Sequence, residues 1–165
     1  MRSVSTRVVV LALSVAAGAL GLASRAPASQ GQPASNMDVL RDKIKADKKL
    51  LVAENLGLTD AESKVFWPVY EDYQKELAGI NDRLLKTIQS YAQDYNAKTL
   101  TDDKAKSLMT ETLAIEQAEV ALKKKYLDKL NGIIPPIKAA RYMQIENKLR
   151  AIVRFDLAGN IPLAP

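Results

Sequence analysis

Residues 58–95 read LTDAESKVFWPVYEDYQKELAGINDRLLKTIQSYAQDY, and the spacing of their apolar side chains decides the fold. Phe66, Tyr70, Tyr73, Leu77, Ile80, Leu84, Ile88, Tyr91 and Tyr95 follow one another at intervals of four or three. That nearly heptad stripe, with one stutter, belongs to a long helix lying along a neighbour. At 1.5 Å per residue its length is roughly 55 Å. The stretch opens on Thr59-Asp60-Ala61-Glu62. There the Thr hydroxyl can accept a backbone N–H while the Glu carboxylate reaches back to the Thr N–H, a capping box. Pro68 sits inside the apolar run and is expected to kink the helix or delay its regular part.

The same reading extends in both directions. Upstream, Ser35-Asn36-Met37-Asp38 starts a helix with Leu40, Ile44 and Leu51 at helical spacing, ended at Asn55-Leu56-Gly57. Downstream, Thr101 caps a third helix, and Asp102 and Asp103 suit the positive end of its dipole. Its broad stripe comprises Leu108, Met109, Leu113, Ile115, Val120, Leu122, Tyr126, Leu127 and Leu130. Gly132-Ile-Ile-Pro-Pro136 breaks it, with Pro136 as the first residue of a fourth helix. Ile145, Leu149 and Ile152-Val153 line one face there, until Gly159-Asn160 and Pro162 stop the element. No run of β-branched residues alternates at period two. The expected fold is therefore all-α, with four helices: a long central antiparallel hairpin flanked by two shorter ones.

The first residues read as an export address. Met1 to Arg7 is short and basic, Val8–Ala23 is apolar, and Ala26-Pro27-Ala28 offers a small-residue cleavage site before Ser29. Gly21-Leu22-Ala23, with cleavage before Ser24, is the alternative. The Val8–Ala23 stretch of 16 residues, interrupted only by Ser14, Gly18 and Gly21, falls short of the roughly 20 that span a bilayer. A cleaved signal peptide over 1–28 is expected, then a polar, disordered leader over 29–35 and one helical domain over 36–165. No membrane span is expected after cleavage. Localisation is expected to be periplasmic.

Charge and composition narrow the chemistry. The net charge of +5 owes three to Arg2, Arg7 and Arg25, which leaves +2 for residues 29–165. So small an excess argues against a nucleic-acid partner. With no His and no Cys, the chain has no His- or Cys-ligated zinc, no thiolate nucleophile and no Ser-His pair. No cofactor and no enzymatic activity are expected. Asp102-Asp103 is explained by the helix dipole, and the calcium-loop spacing is missing.

Shifting the sequence by 76 places Leu58, Phe66, Val69, Tyr73 and Leu77 over Ile134, Tyr142, Ile145, Leu149 and Val153. This weak repeat points to two halves, each a short loop opening a helix. Leu58-Thr59-Asp60-Ala61-Glu62, followed by Phe66 and preceded by a signal peptide and a charged helix, resembles the LTxxQ motif of the Spy/CpxP-like periplasmic family. The second motif falls at Ile134-Pro135-Pro136-Ile137-Lys138. Glu62 replaces the motif Gln, and the second copy has lost both Thr and Gln. Residues 36–157 carry the resemblance. It implies a long bent helical hairpin with a shorter helix at each end, and in some members a cradle-shaped dimer. It also implies a role without ATP, as a chaperone-like or envelope-stress accessory protein binding unfolded clients. The alternative is a regulatory module that binds the periplasmic domain of a stress sensor.

The candidate protein-binding residues are Trp67, Tyr70, Arg141, Tyr142, Lys148 and Arg150. Phe66, Trp67, Tyr70 and Tyr73 concentrate four of the nine aromatics in eight residues. Core packing between the second and fourth helices accounts for Phe66, Tyr70 and Tyr73, while Trp67 lies off the stripe and suits the surface. Glu146 and Arg150 have the spacing of an ordinary i,i+4 pair. Expected partners are unfolded or envelope proteins, a sensor protein and a second copy of the chain.

Overall fold

A computed structural model describes residues 36–165, with side chains from residue 46 onward. The signal peptide and leader expected over 1–35 lie outside the described residues. Four helices make up the described part, and no strand occurs in it: α1 (Asn36–Leu56), α2 (Asp60–Ala97), α3 (Asp102–Asn131) and α4 (Pro136–Asn160). The chain divides into two units at Leu50, so α1 begins in the first and ends in the second. None of the described helices is long and apolar enough to cross a membrane.

The helix boundaries follow local chemistry. Leu56 is the last residue of α1, and Gly57 turns the chain at φ +58°, in the left-handed region where a side chain would be strained. The capping box at the start of α2 is complete: the Glu62 N–H donates to Thr59 Oγ1 at 3.3 Å and the Thr59 N–H to Glu62 Oε2 at 2.7 Å. At the far end of α2, Lys98 takes the left-handed position with φ 58°, a place that glycine fills more cheaply. Thr101 caps α3, accepting from the Lys104 N–H, and Pro136 opens α4.

Residues 50–165 pack around one core. Val52 and Leu56 from α1, Phe66, Tyr70, Tyr73 and Leu77 from α2, Leu122, Tyr126 and Leu130 from α3, Ile134, and Ala139, Tyr142 and Met143 from α4 are buried together. Aromatic rings dominate, meeting edge to face: Phe66–Tyr142 and Tyr73–Tyr126 at 5.3 Å between centroids, Tyr73–Tyr142 at 5.9 Å. Such contacts add to the value of the apolar area they bury. Between α2 and α3 the polar contacts run in opposite order: Glu76 with Lys125 (2.7 Å), Arg83 with Glu111 (2.9 Å), Asp94 with Lys104 (3.4 Å). Between α2 and α4 they run in the same order, from Glu62–Lys138 to Asn81–Arg150.

The core does not reach as far as the apolar stripes suggest. On α3, Met109, Leu113 and Val120 are exposed, as are Ile152 and Val153 on α4. Leu149 is half-buried. The buried residues of α4 all lie at or before Glu146, so among the described residues no helix buries the face through Ile152-Val153.

Candidate functional site

Two places in the structure gather the residues singled out above: the junction of the two motifs, and the surface of α4. At the junction, Lys138 Nζ lies 2.6 Å from Glu62 Oε2 and also donates to the Gly57 carbonyl at 2.7 Å. Glu62 and Lys138 are 76 positions apart and occupy the fifth place of each motif. Phe66 and Tyr142, also 76 apart, are in ring contact. The repeat offset is thus a contact offset at the start of α2 and α4. The Lys138 ammonium first, and the Thr59 N–H with it, hold the Glu62 carboxyl below its ordinary value of 4.5.

Farther along α4, a charge cluster binds it to its neighbours. Glu119 on α3, only 2% exposed, accepts from Arg150 Nη2 (2.7 Å) and Nε (2.9 Å) on the same oxygen. Its other oxygen meets Lys123 at 3.0 Å, and Arg154 stands at 3.3 Å. Burial alone raises the Glu119 pKa, but the hydrogen bonds from Arg150 and Lys123 outweigh it and the net shift is downward. Arg150 Nη1 also donates to Asn81 Oδ1 on α2, so this one guanidinium ties three helices. Gln74 on α2 donates to Glu146 Oε1 (2.8 Å) and to the Tyr142 hydroxyl (3.1 Å).

These contacts correct several of the candidate binding residues. Tyr142 is fully buried and Tyr70 nearly so, because both rings fill the space between α2 and α4; neither is open to a partner. Burial drives both phenol pKa values well above the ordinary 10. Arg150 is spent on Glu119 and Asn81 and is not a surface cation. The i,i+4 pairing of Glu146 with Arg150 does not form: Glu146 is buried against α2, and Arg150 turns to α3. Trp67 is half-buried against the core, its ring 5.0 Å from Phe66 and 5.3 Å from Tyr70.

Arg141 and Lys148 remain on the surface. Together with Gln144, Ile145 and Asn55 from the end of α1 they line a groove of about 280 Å³. A second, more open hollow of about 460 Å³ lies over α3, edged by Leu113, Glu116, Gln117, Val120 and Lys124. Among the described residues no three acids gather as a set of metal ligands. Sequence reasoning misses Glu119, the buried anchor of α4. An acid between Ala118 and Val120 in a charged helix gives no local sign of burial, and its partner lies 31 positions away.

No family model matches the chain, and no match emerges among curated proteins or solved structures. The Spy/CpxP-like resemblance therefore stands on the motif residues themselves.

Proposed function

We propose that the chain acts by binding other polypeptides, as an exported, ATP-independent chaperone-like or envelope-stress accessory protein of the Spy/CpxP-like kind. The observation that carries this reading is the large apolar surface left on helices beside unneutralised cations. Phe155 is 80% exposed and Ile152 61%, with Arg141 and Lys148 on the same helix; Met109, Leu113 and Val120 are open on α3 beside Lys124. Exposed apolar side chains grouped with polar rims mark interaction surfaces. A mixed apolar and basic surface suits partly unfolded clients, which offer apolar side chains and carboxylates in many arrangements.

The test is suppression of aggregation. The chain is titrated without ATP into an unfolding client, and light scattering is followed at low and high salt. Suppression near stoichiometric ratios is the expected outcome, weakened by salt to the extent that the cations contribute. No suppression at large excess removes the chaperone reading. The regulatory reading, docking on the exported domain of a stress sensor, draws on the groove at Arg141 and Lys148. It predicts one saturable partner and little general anti-aggregation activity.

A further inference from the structure

On α4, at about 100° per residue, Arg141, Gln144, Ile145, Lys148, Ile152 and Phe155 share one stripe about 100° wide. This stripe is opposite the buried Ala139, Tyr142, Met143 and Glu146. Its first half is the groove, with half-buried Ile145 between two cations. Arg150 and Arg154 are paired with Glu119 and Glu116, whereas Arg141 and Lys148 form no ion pair among the described residues. Its second half is apolar and open, ending at Phe155.

The geometry points to a docking track for an extended peptide segment with acidic residues at one end and large apolar residues at the other. Charge complementarity selects this occupant: two uncompensated cations flank one apolar floor. From Arg141 to Phe155 the helix rises about 21 Å, the reach of roughly seven residues of extended chain. Arg141 and Lys148 stand about 10 Å apart along the axis, matching carboxylates three positions apart in an extended segment of polyproline-II form, whose turn of three residues rises about 9 Å and keeps both on one side. The direction is fixed as well. Reversal places the carboxylates beside Asp156 and the apolar side chains over the cations. This inference deepens the binding reading and rests on it only for the premise that the chain works by binding.

The probe is a fluorescein-labelled octapeptide with two aspartates three positions apart followed by leucine and phenylalanine. It is compared by anisotropy with a counterpart in which both aspartates are asparagine, each titrated with the full chain. The acidic peptide is expected to bind at least about fivefold more tightly at low salt, the upper range for exposed pairs, and the gap is expected to close at high salt. R141E or K148E removes the preference, F155A weakens both peptides about tenfold, and K106E on α3 changes neither. All four positions are exposed, so folding is not at stake. Equal binding of the two peptides overturns the proposal, as does a preference that survives R141E and K148E. Self-association lost in F155A without peptide binding also overturns it, by assigning the stripe to a second copy. Failure to suppress aggregation, with the acidic preference intact, removes the chaperone reading and leaves the track standing.

Discussion

Replacing Glu119 with leucine strips α4 of its main polar anchor. The carboxylate is almost fully buried, and its chief partner, the Arg150 side chain, is 14% exposed. Removing one member of a buried pair costs about 3–5 kcal/mol, because the other charge stays desolvated. Here Asn81 still accepts from Arg150 Nη1, which places the expected loss at the lower end, about 3 kcal/mol. Urea unfolding followed by circular dichroism reads this as a midpoint shift of about 1.5 M, for a slope near 2 kcal/mol per molar. Thermal unfolding reads it as a fall of roughly 10 °C. The double variant E119L/R150M replaces both charges with apolar side chains of similar bulk, and such swaps are often neutral. It is expected to regain about 2 kcal/mol over the single variant, a coupling that only residues in contact produce. If E119L lies within about 0.5 kcal/mol of the parent, an ordinary surface value, or if E119L and R150M add independently, the charge cluster does not hold α4 and the reasoning fails.

Three further outcomes follow from local chemistry. Lys98 and Gly57 share the left-handed backbone, so K98G is expected to stabilise by about 1 kcal/mol and G57A to destabilise by about as much; a Cβ at Gly57 meets no atom, so strain alone is measured in chemical denaturation. Tyr73 has a buried hydroxyl without a hydrogen-bond partner, and Y73F is expected to raise stability by up to about 1 kcal/mol, read as a higher Tm. Glu62, Glu76 and Glu119 are all held below 4.5 by their cations, Lys138, Lys125 and Arg150. Depressed carboxyl values contribute stability that is present above the ordinary 4.5 and is lost as pH falls through the lower folded values. Urea midpoints should hold level above about pH 5 and drop below about pH 4, with a shallower drop in E62Q.

Much of the fold was legible because its signals are local. The Thr59–Glu62 box, the Thr101 cap and Pro136 each concern neighbours within one turn, and each marks the helix start it predicts. The buried face of α2 at Phe66, Tyr70, Tyr73 and Leu77 follows equally from spacing. What spacing cannot carry is the extent of a partner. Leu113, Val120, Ile152 and Val153 fit apolar stripes as well as the core residues do, yet among the described residues no helix covers them. The candidate site was legible only in part for a similar reason. Arg141, Lys148 and Arg150 look alike in sequence, and only the distant Glu119 separates the last from the others.

The motif departures make sense as a pair. In the first copy the fifth position is Glu62 where the LTxxQ pattern has Gln; in the second it is Lys138. Either change alone would set an unmatched charge at the junction, but the two side chains meet each other at 2.6 Å. Lys138 also reaches the carbonyl of Gly57, so one ammonium ties the end of α1, the cap of α2 and the first turn of α4. Beyond this junction the two halves part company. The contact offset shrinks from 76 at Phe66–Tyr142 to 72 at Gln74–Glu146 and 69 at Asn81–Arg150. Tyr73 and Leu77 continue the core of α2, whereas their counterparts Leu149 and Val153 drift to the surface. That divergence turns the far half of α4 from a core helix into one held by Glu119 on one side. Its other side, with Lys148, Ile152 and Phe155, is thereby left exposed among the described residues.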